Sequence, residues 1–288
     1  MNEELLVQLA ILFFFGIGAL WISWKVRMPA ILLLLSVGFL AGYFGLINPD
    51  DMLGEMLLPF VSVSVAIILF EGGLSLKVKE LSEVGGVVRN LISIGALVTW
   101  VISAAAGHYL IGLNLEISLL LGAILVVSGP TVIMPILRNV RPSRRVGSIL
   151  RWEAIVIDPI GAMFAAVVYL VILTQAGGSG ETVTTLETVL LMIAVGTLLG
   201  VIGAGAVVIL FRRFWVPDYL KNPVTLMILV TTYVASNYLE SESGLYSSMI
   251  MGIALANQRS IPVKGIVAFK EDLSIMLLSF LFILLAAT

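Results

Sequence analysis

Long apolar stretches alternate with short polar connections along the whole chain. Ten of these stretches approach or exceed the roughly 20 residues that a helix needs to cross a hydrocarbon core about 30 Å thick. The ninth is the shortest, and the pattern predicts an all-α polytopic membrane protein with about ten transmembrane helices. The predicted spans, numbered one to ten, lie at about 5–24, 30–47, 57–75, 87–112, 117–137, 149–174, 187–211, 223–239, 243–257 and 266–288.

The basic residues are confined to alternate connections between these spans. All 16 Lys and Arg lie in or beside the odd-numbered connections, whereas those near Asp50, Asn114, Gly180 and Glu240 carry none. Because cytoplasmic loops carry an excess of Lys and Arg, we expect the odd-numbered connections in the cytoplasm and the N-terminus outside. A missed helix would break this alternation, so the charges also support the span count. They predict a multi-pass protein of the cell (inner) membrane.

Composition excludes several kinds of site. The chain has 288 residues, of which 60% are hydrophobic and 12% charged, whereas soluble domains have about 45–50% and about 25%. It contains no cysteine, so disulfides and thiolate metal sites are excluded. The single histidine, His108, cannot build a histidine metal centre.

Span six contains a carboxylate well inside its apolar run. Asp158 is followed directly by Pro159. An acid at the centre of a membrane helix costs about 2.5 kcal/mol or more, and such a residue is a candidate functional group. Pro159 supplies no N–H, so the carbonyl of Ala154 or Ile155 loses its helical partner beside the acid. A carboxylate near unpaired carbonyl oxygens is suited to a desolvated cation or a proton.

Two further acids receive structural interpretations. Glu153 lies five residues before Asp158, about 140° around the helix, so the two carboxylates do not share a face. We expect Glu153 to be a structural acid with a basic partner, Arg151 or Lys270. Glu71 ends span three and is expected to be an interfacial acid or a packing residue.

Span five carries an irregular motif near its middle, Ser128-Gly129-Pro130-Thr131. Glycine is conformationally permissive and proline removes a donor, so the motif predicts a helix that is unwound at bilayer depth. Irregular backbone is tolerated there only when protein buries it or when it lines a cavity. Broken helices near the midplane commonly form the binding sites of secondary transporters. A structural kink is the alternative, and the acid in the adjacent span favours binding.

Several segments together resemble one family. SGPTVIMPILR in span five, followed about 20 residues later by RWEAIVIDPIGA in span six, is similar to paired motifs of the cation:proton antiporter superfamily, in its sodium/proton exchanger (NhaP-like) branch. The segments FEGGLSL, SGLYSSMIMGIALAN and FKEDLSIMLLSFLFILLA also resemble that branch. The similarity covers most of the chain in the expected order.

The resemblance implies an NhaA-like antiporter fold with a discontinuous helix five. That helix would cross an inverted partner within a mobile core that moves against a dimerisation domain. About three further helices, the partner included, would follow Thr288, so we expect the chain to be truncated at its C-terminus. The chain would form one membrane transport domain, 1–288, with helices one to four in 1–112, helices five and six with the ion site in 117–174, and helices seven to ten in 187–288.

The resemblance also assigns roles within the site. The family's Thr-Asp-Pro matches Ser128-Gly129-Pro130, and its Asn-Asp pair matches Ile157-Asp158. Asp158 would then be the metal ligand that Na⁺ or K⁺ shares in turn with H⁺, and the only acid left in the crossing region, which favours electroneutral exchange. The expected ion- and proton-binding residues are Asp158, Ser128, Gly129 and Thr131, with structural support from Glu153, Pro130, Pro159 and Glu71.

The expected function is secondary active exchange of a monovalent cation for H⁺ by alternating access, in pH homeostasis. We expect a homodimer in the lipid bilayer, with no enzymatic activity, cofactor or nucleic-acid partner. Three alternatives stay open. An incomplete fragment would act as a dimerisation or folding unit without transport. A cation channel would need a continuous polar lining. An intramembrane aspartyl hydrolase would need two facing aspartates, whereas Asp158 is the only aspartate in mid-membrane.

Overall fold

A computed structural model describes residues 3–26, 28–129, 132–133, 136–137, 140–177, 182–261 and 264–288, without the side chains of 170, 173–177, 182–186 and 264–272. Regular secondary structure within these ranges is helical throughout. The long helices are α1 Glu3–Val26, α2 Ala30–Tyr43, α3 Pro49–Leu74, α4 Val78–Ile111, α5 Leu115–Ile124, α6 Arg144–Gly177, α7 Thr182–Arg212, α8 Lys221–Leu239, α9 Ser243–Asn257 and α10 Lys264–Ala287.

The helices confirm the predicted apolar runs, in the predicted order. In the part of the chain that the structure describes, five helical ranges are individually long and apolar enough to cross a membrane: α1, α3, α4, Arg144–Tyr169 of α6 and Glu187–Arg212 of α7. Shorter apolar helices accompany them at α2, α5 and Leu273–Ala287 of α10. An all-α, multi-pass membrane protein is therefore the architecture of the chain.

Helix α4 begins earlier than its apolar run suggested. It starts at Val78, whereas the predicted span starts at about 87. The added segment is amphipathic: Val84 and Val88 are buried, while Lys79 and Glu83 are exposed. Hydropathy alone overlooks such a segment because its charged face lowers the mean.

The centre of the fold is a crossing of α3 and α9 with almost no side chains between them. A Cβ added at Gly73 would lie 2.5 Å from the carbonyl oxygen of Met249, and one at Gly252 would lie 2.2 Å from that of Phe70. Gly200 brings α7 equally close to α9. Small residues allow this approach between membrane helices, so α3, α7 and α9 form a tightly packed unit.

A second close contact joins the two ends of the chain. Gly38 and Gly42 of α2 face the backbone of α10, where added Cβ atoms would lie 2.7 Å from Ile283 O and 2.6 Å from Ala287 O. Helix α1 packs against the same pair. The last helix is thus held by the first two.

A third cluster fixes the first half of α6. It joins the amphipathic start of α4 to α6 and α9, and its buried members are Leu76, Val84, Val88, Trp152, Ile155 and Met249. Because Trp152 and Ile155 precede Asp158 by only one to two turns, this cluster also positions the turn that carries the acid.

Candidate functional site

Asp158 lies in an unbroken stretch of α6. The helix runs from Arg144 to Gly177 with Pro159 inside it. Asp158 is partly buried, and its neighbours Ile157 and Pro159 are buried. Within the described residues, the Asp158 carboxylate forms no hydrogen bond and no ion pair. A partly buried acid without a partner in the described part of the chain is available to a proton or a cation.

Span five is discontinuous, as its Gly-Pro motif predicts. Helix α5 ends at Ile124, and residues 125–129, here called the unwound segment, follow in turn and irregular conformation. Gly129 has a φ of 39°, in the left-handed region that glycine tolerates. Its carbonyl oxygen then accepts from the N–H groups of Val132 and Ile133 at 3.3 and 3.4 Å. The interruption starts three residues before Ser128, earlier than the motif itself.

A hydrogen bond joins the unwound segment to α6 ahead of Asp158. The Ser128 hydroxyl donates to Glu153 Oε1 at 2.9 Å, and both residues are partly buried. Glu153 was expected to pair with a basic residue. Among the described residues its partner is the hydroxyl of Ser128, while Arg151 Nε is buried and has no hydrogen-bond partner there.

A second contact joins the unwound segment to α6 beyond Asp158. A Cβ at Gly161 would lie 2.3 Å from Val127 Cγ2. Only glycine therefore leaves room for Val127 in this arrangement. Gly161 follows Asp158 by three residues, which is a little less than one helical turn.

These two contacts lie on opposite sides of Asp158 in the sequence. The unwound segment therefore runs alongside the turn of α6 that carries the acid. Ser128 contacts α6 through Glu153, and Gly129 follows it in the chain, whereas Pro130 and Thr131 lie outside the described residues. The predicted basic partner Lys270 also falls outside them, because its side chain is not described. The chemistry available on this stretch of α6 is that of two carboxylates, of which Glu153 accepts the Ser128 hydroxyl and Asp158 has no partner among the described residues.

Glu71 occupies the last turn of α3, close to α6 but on a different helix. It is partly buried, and its backbone oxygen accepts from Ser75 N at 3.2 Å. A Cβ added at the next residue, Gly72, would lie 3.4 Å from Ile155 of α6, an ordinary van der Waals distance. Glu71 therefore lies beside the contact between α3 and the helix of the acid.

Aromatic residues that the sequence did not single out hold α4, α5 and α6 together. Trp100 Nε1 of α4 donates to Leu119 O of α5 at 2.9 Å. The same indole meets the ring of Phe164 of α6 edge-on, with centroids 5.0 Å apart. Helical spacing alone does not distinguish such residues from ordinary apolar ones.

Asn257 at the end of α9 is another residue that the sequence did not single out. Its Oδ1 accepts from Val78 N at 2.8 Å, and its Nδ2 donates to Leu76 O at 2.9 Å. It thereby caps the start of α4 and supplies a hydrogen-bond donor to a carbonyl of the connection between α3 and α4. An amide at a helix end is the feature of the sequence that could have indicated a cap. Its partners could not be inferred, because they are 179 and 181 residues away.

Comparison with known proteins identifies the group to which the chain is related. A family model described as "Sodium/hydrogen exchanger, transmembrane" matches residues 9–288. The Na⁺/H⁺ antiporter 1 of Methanocaldococcus jannaschii is 28% identical over 285 residues, covering 92% of this chain and 64% of the relative. The K⁺/H⁺ antiporter NhaP of Alkalimonas amylolytica is 26% identical over 279 residues, covering 95% of this chain and 47% of the relative. The chain thus spans about half to two thirds of these relatives' lengths.

The fold has a solved counterpart. The structure of the sodium proton antiporter MjNhaP1 from Methanocaldococcus jannaschii at pH 8 superposes with a TM-score of 0.81 at 22% sequence identity. The superposition covers 99% of this chain and 71% of that one. With the family match over almost its whole length, the chain belongs to the transmembrane sodium/hydrogen exchanger family.

Proposed function

We propose that the chain carries the ion site of a secondary active transporter that exchanges Na⁺ or K⁺ for H⁺. The observation that supports this most directly is the position of Asp158. The acid lies on α6 between two contacts with the unwound segment, at Glu153 and at Gly161. This pairing of a membrane acid with irregular backbone is the usual construction of a transporter site.

One carboxylate suffices for coupled exchange. When Asp158 carries a proton it is neutral and offers no charge to a metal ion; when the proton leaves, the carboxylate binds one monovalent cation. Each cation bound therefore displaces one proton, and the site is neutral in both loaded states. Gly129 and Ile157, which stand where the family has an acid and an amide, add no ionisable side chain. Exchange of one cation for one proton is the expected stoichiometry.

We infer alternating access with obligatory coupling, because moving a bare charge through hydrocarbon is costly. The translocation of an empty, ionised Asp158 would place an uncompensated carboxylate in the membrane, which costs about 2.5 kcal/mol or more. Loading with either ion removes that charge. The helix that carries Asp158 is therefore expected to move only when the site is occupied, and this restriction makes the exchange obligatory.

The choice between Na⁺ and K⁺ remains part of the proposal. Relatives named as Na⁺/H⁺ and as K⁺/H⁺ antiporters match the chain at similar identity, 28% and 26%. We also propose a homodimer in the membrane, which the family resemblance implies. Determination of the mass of the detergent-solubilised particle by light scattering tests the dimer, and a monomeric mass contradicts it.

The exchange is tested with the purified chain in proteoliposomes that carry an imposed pH gradient. We expect Na⁺ or K⁺ to dissipate the gradient in the wild type and Asp158→Asn to abolish this, because asparagine neither ionises nor releases a proton. Glu116→Gln is the matched control, since it makes the same acid-to-amide change at an exposed residue in the first turn of α5.

Cation-dependent proton movement that survives Asp158→Asn contradicts the proposal. So does a wild-type chain that dissipates no gradient with Na⁺, K⁺ or Li⁺. A current that grows without saturation as the cation concentration rises identifies a channel instead, because a shared carboxylate saturates.

A further inference from the structure

A cleft lined by charged side chains lies between the beginnings of α4 and α6, about two turns or more from Asp158. It consists of two adjoining cavities of about 180 and 220 Å³, and Glu80, Arg144 and Ser148 line both of them. We call it the α4–α6 cleft. By the distribution of basic residues, this end of the bundle faces the cytoplasm.

The lining of the α4–α6 cleft is strongly basic. Its acidic members are Glu80 and Glu83. Among the described residues, no ion pair joins either carboxylate to a basic side chain of the cleft. Among the described residues, the basic side chains of the lining therefore outnumber its acids by six to two. The basic members are Lys77, Lys79, Arg141, Arg144, Arg145 and Arg151.

Two polar atoms at the cleft are buried without partners. Arg151 Nε and Glu80 Oε2 each lack a hydrogen bond to any described residue, and both side chains line the larger cavity. A buried polar group without a partner costs about 1–3 kcal/mol, and such a group calls for an additional ligand, ion or water.

We propose that the α4–α6 cleft binds a phosphate group on the cytoplasmic side of the membrane. Arginine guanidinium groups bind phosphate oxygens through paired, charge-assisted hydrogen bonds. The cavities are several times the roughly 30 Å³ that one water occupies, which leaves space for a phosphate. Glu80 Oε2 is an acceptor for a hydroxyl of the same ligand, as in a phosphoglycerol headgroup. The phosphate belongs to an acidic phospholipid of the cytoplasmic leaflet or to free inorganic phosphate.

Lipid binding is tested by native mass spectrometry of the purified chain in detergent. Phosphatidylglycerol and phosphatidylcholine of the same acyl chains are added in turn, and we expect the first to bind about tenfold more tightly. Arg144→Gln/Arg145→Gln removes two exposed arginines of the cleft and is expected to lower phosphatidylglycerol binding about tenfold. Arg212→Gln/Arg213→Gln is the matched control, because it removes two adjacent exposed arginines at the end of α7, outside the cleft.

The two sources of phosphate are separated by a second measurement. Thermal unfolding is followed in inorganic phosphate and in chloride at equal ionic strength. Stabilisation by phosphate that the Arg144/Arg145 variant loses identifies a free-phosphate site, whereas selectivity for phosphatidylglycerol alone identifies a lipid site. Each single substitution is measured as well, with gel filtration to verify folding.

The inference is overturned when the cleft variant and the α7 variant bind phosphatidylglycerol equally and inorganic phosphate stabilises neither more than chloride does. Because these readouts measure binding and not exchange, the cleft and the Asp158 site are tested independently.

Discussion

Ser128 and Glu153 are joined by a hydrogen bond of 2.9 Å, which fastens the unwound segment to α6 about one and a half turns before Asp158. The donor is the Ser128 hydroxyl, which sequence resemblance assigns to the ion site. The acceptor is the glutamate that it assigns to structure. One hydrogen bond therefore joins the two residues. Substitution of either one is expected to alter the position of Asp158.

Removal of the Ser128 hydroxyl is expected to destabilise the fold. In Ser128→Ala a partly buried oxygen of Glu153 loses its donor, which costs about 1–3 kcal/mol. Thermal unfolding in detergent measures this, and Ser128→Thr, which keeps a hydroxyl, should retain most of the stability. Ser36→Ala is the control, because the Ser36 hydroxyl is exposed and bonds only within its own helix. Equal unfolding temperatures for the two alanine variants would contradict the prediction.

Gly161→Ala is expected to push the unwound segment away from α6. The new Cβ would lie 2.3 Å from Val127 Cγ2, and valine has little rotamer freedom with which to avoid it. Overpacking of this kind costs about 1–3 kcal/mol, and the rate of cation-dependent proton exchange should fall with stability. The double variant Val127→Ala/Gly161→Ala should recover both, because the clashing methyl group is gone.

A matched control for Gly161→Ala is Gly205→Ala in α7. A Cβ at Gly205 meets nothing within 4 Å, and alanine is the better helix former by about 1 kcal/mol. Gly205→Ala should therefore be neutral or stabilising. If Gly161→Ala and Gly205→Ala have the same unfolding temperature and exchange rate, Val127 of the unwound segment does not pack against Gly161.

Asn257 substitutions should separate the two hydrogen bonds that Asn257 forms with Leu76 and Val78. Asn257→Asp keeps the oxygen that caps Val78 N but loses the donor to Leu76 O, whereas Asn257→Ala loses both. Loss of a helix cap costs about 0.5–2 kcal/mol, so stability should fall in the order wild type, aspartate, alanine. Thermal unfolding measures this order. An alanine variant as stable as the wild type would show that the hydrogen bonds from Asn257 to the start of α4 do not stabilise the fold.

Competition between cation and proton for a single carboxylate determines how the apparent KM for the cation changes with pH. A lower pH protonates Asp158, and the protonated form binds no cation. Below the pKa of that group, the apparent KM for the cation should therefore rise about tenfold for each pH unit, with the maximal rate little changed. Proteoliposomes held at equal pH on both sides and loaded with radioactive cation measure this relation. An apparent KM that does not change with pH would mean that cation and proton do not share the site.

The sequence predicts the helices and Asp158 well because both depend on local properties. Twenty apolar residues form a membrane helix wherever they stand, and an acid with a proline after it is conspicuous within one. The start of α4 at Val78 was missed because its charged face hides an amphipathic helix from a hydropathy average.

Contacts between distant residues could not be predicted in the same way. The partner of Glu153 is 25 residues away, and those of Asn257 are 179 and 181 residues away. Gly161 shows nothing in the sequence beyond being small, because its role depends on where Val127 lies. Such pairings arise from the arrangement of whole helices, which a local pattern does not contain.

The glycine contacts determine where the molecule can deform. At the crossing of α3 and α9 the two backbones touch, since Cβ atoms at Gly73 and Gly252 would lie 2.5 and 2.2 Å from carbonyl oxygens. Densely packed surfaces of this kind have no space for sliding. One residue earlier, Gly72 meets Ile155 of α6 across an ordinary van der Waals gap. A displacement of the acid-bearing helix past α3 would therefore change the Gly72–Ile155 contact and leave the α3–α9 crossing intact, and it would have to separate Ile155 from Met249 of α9.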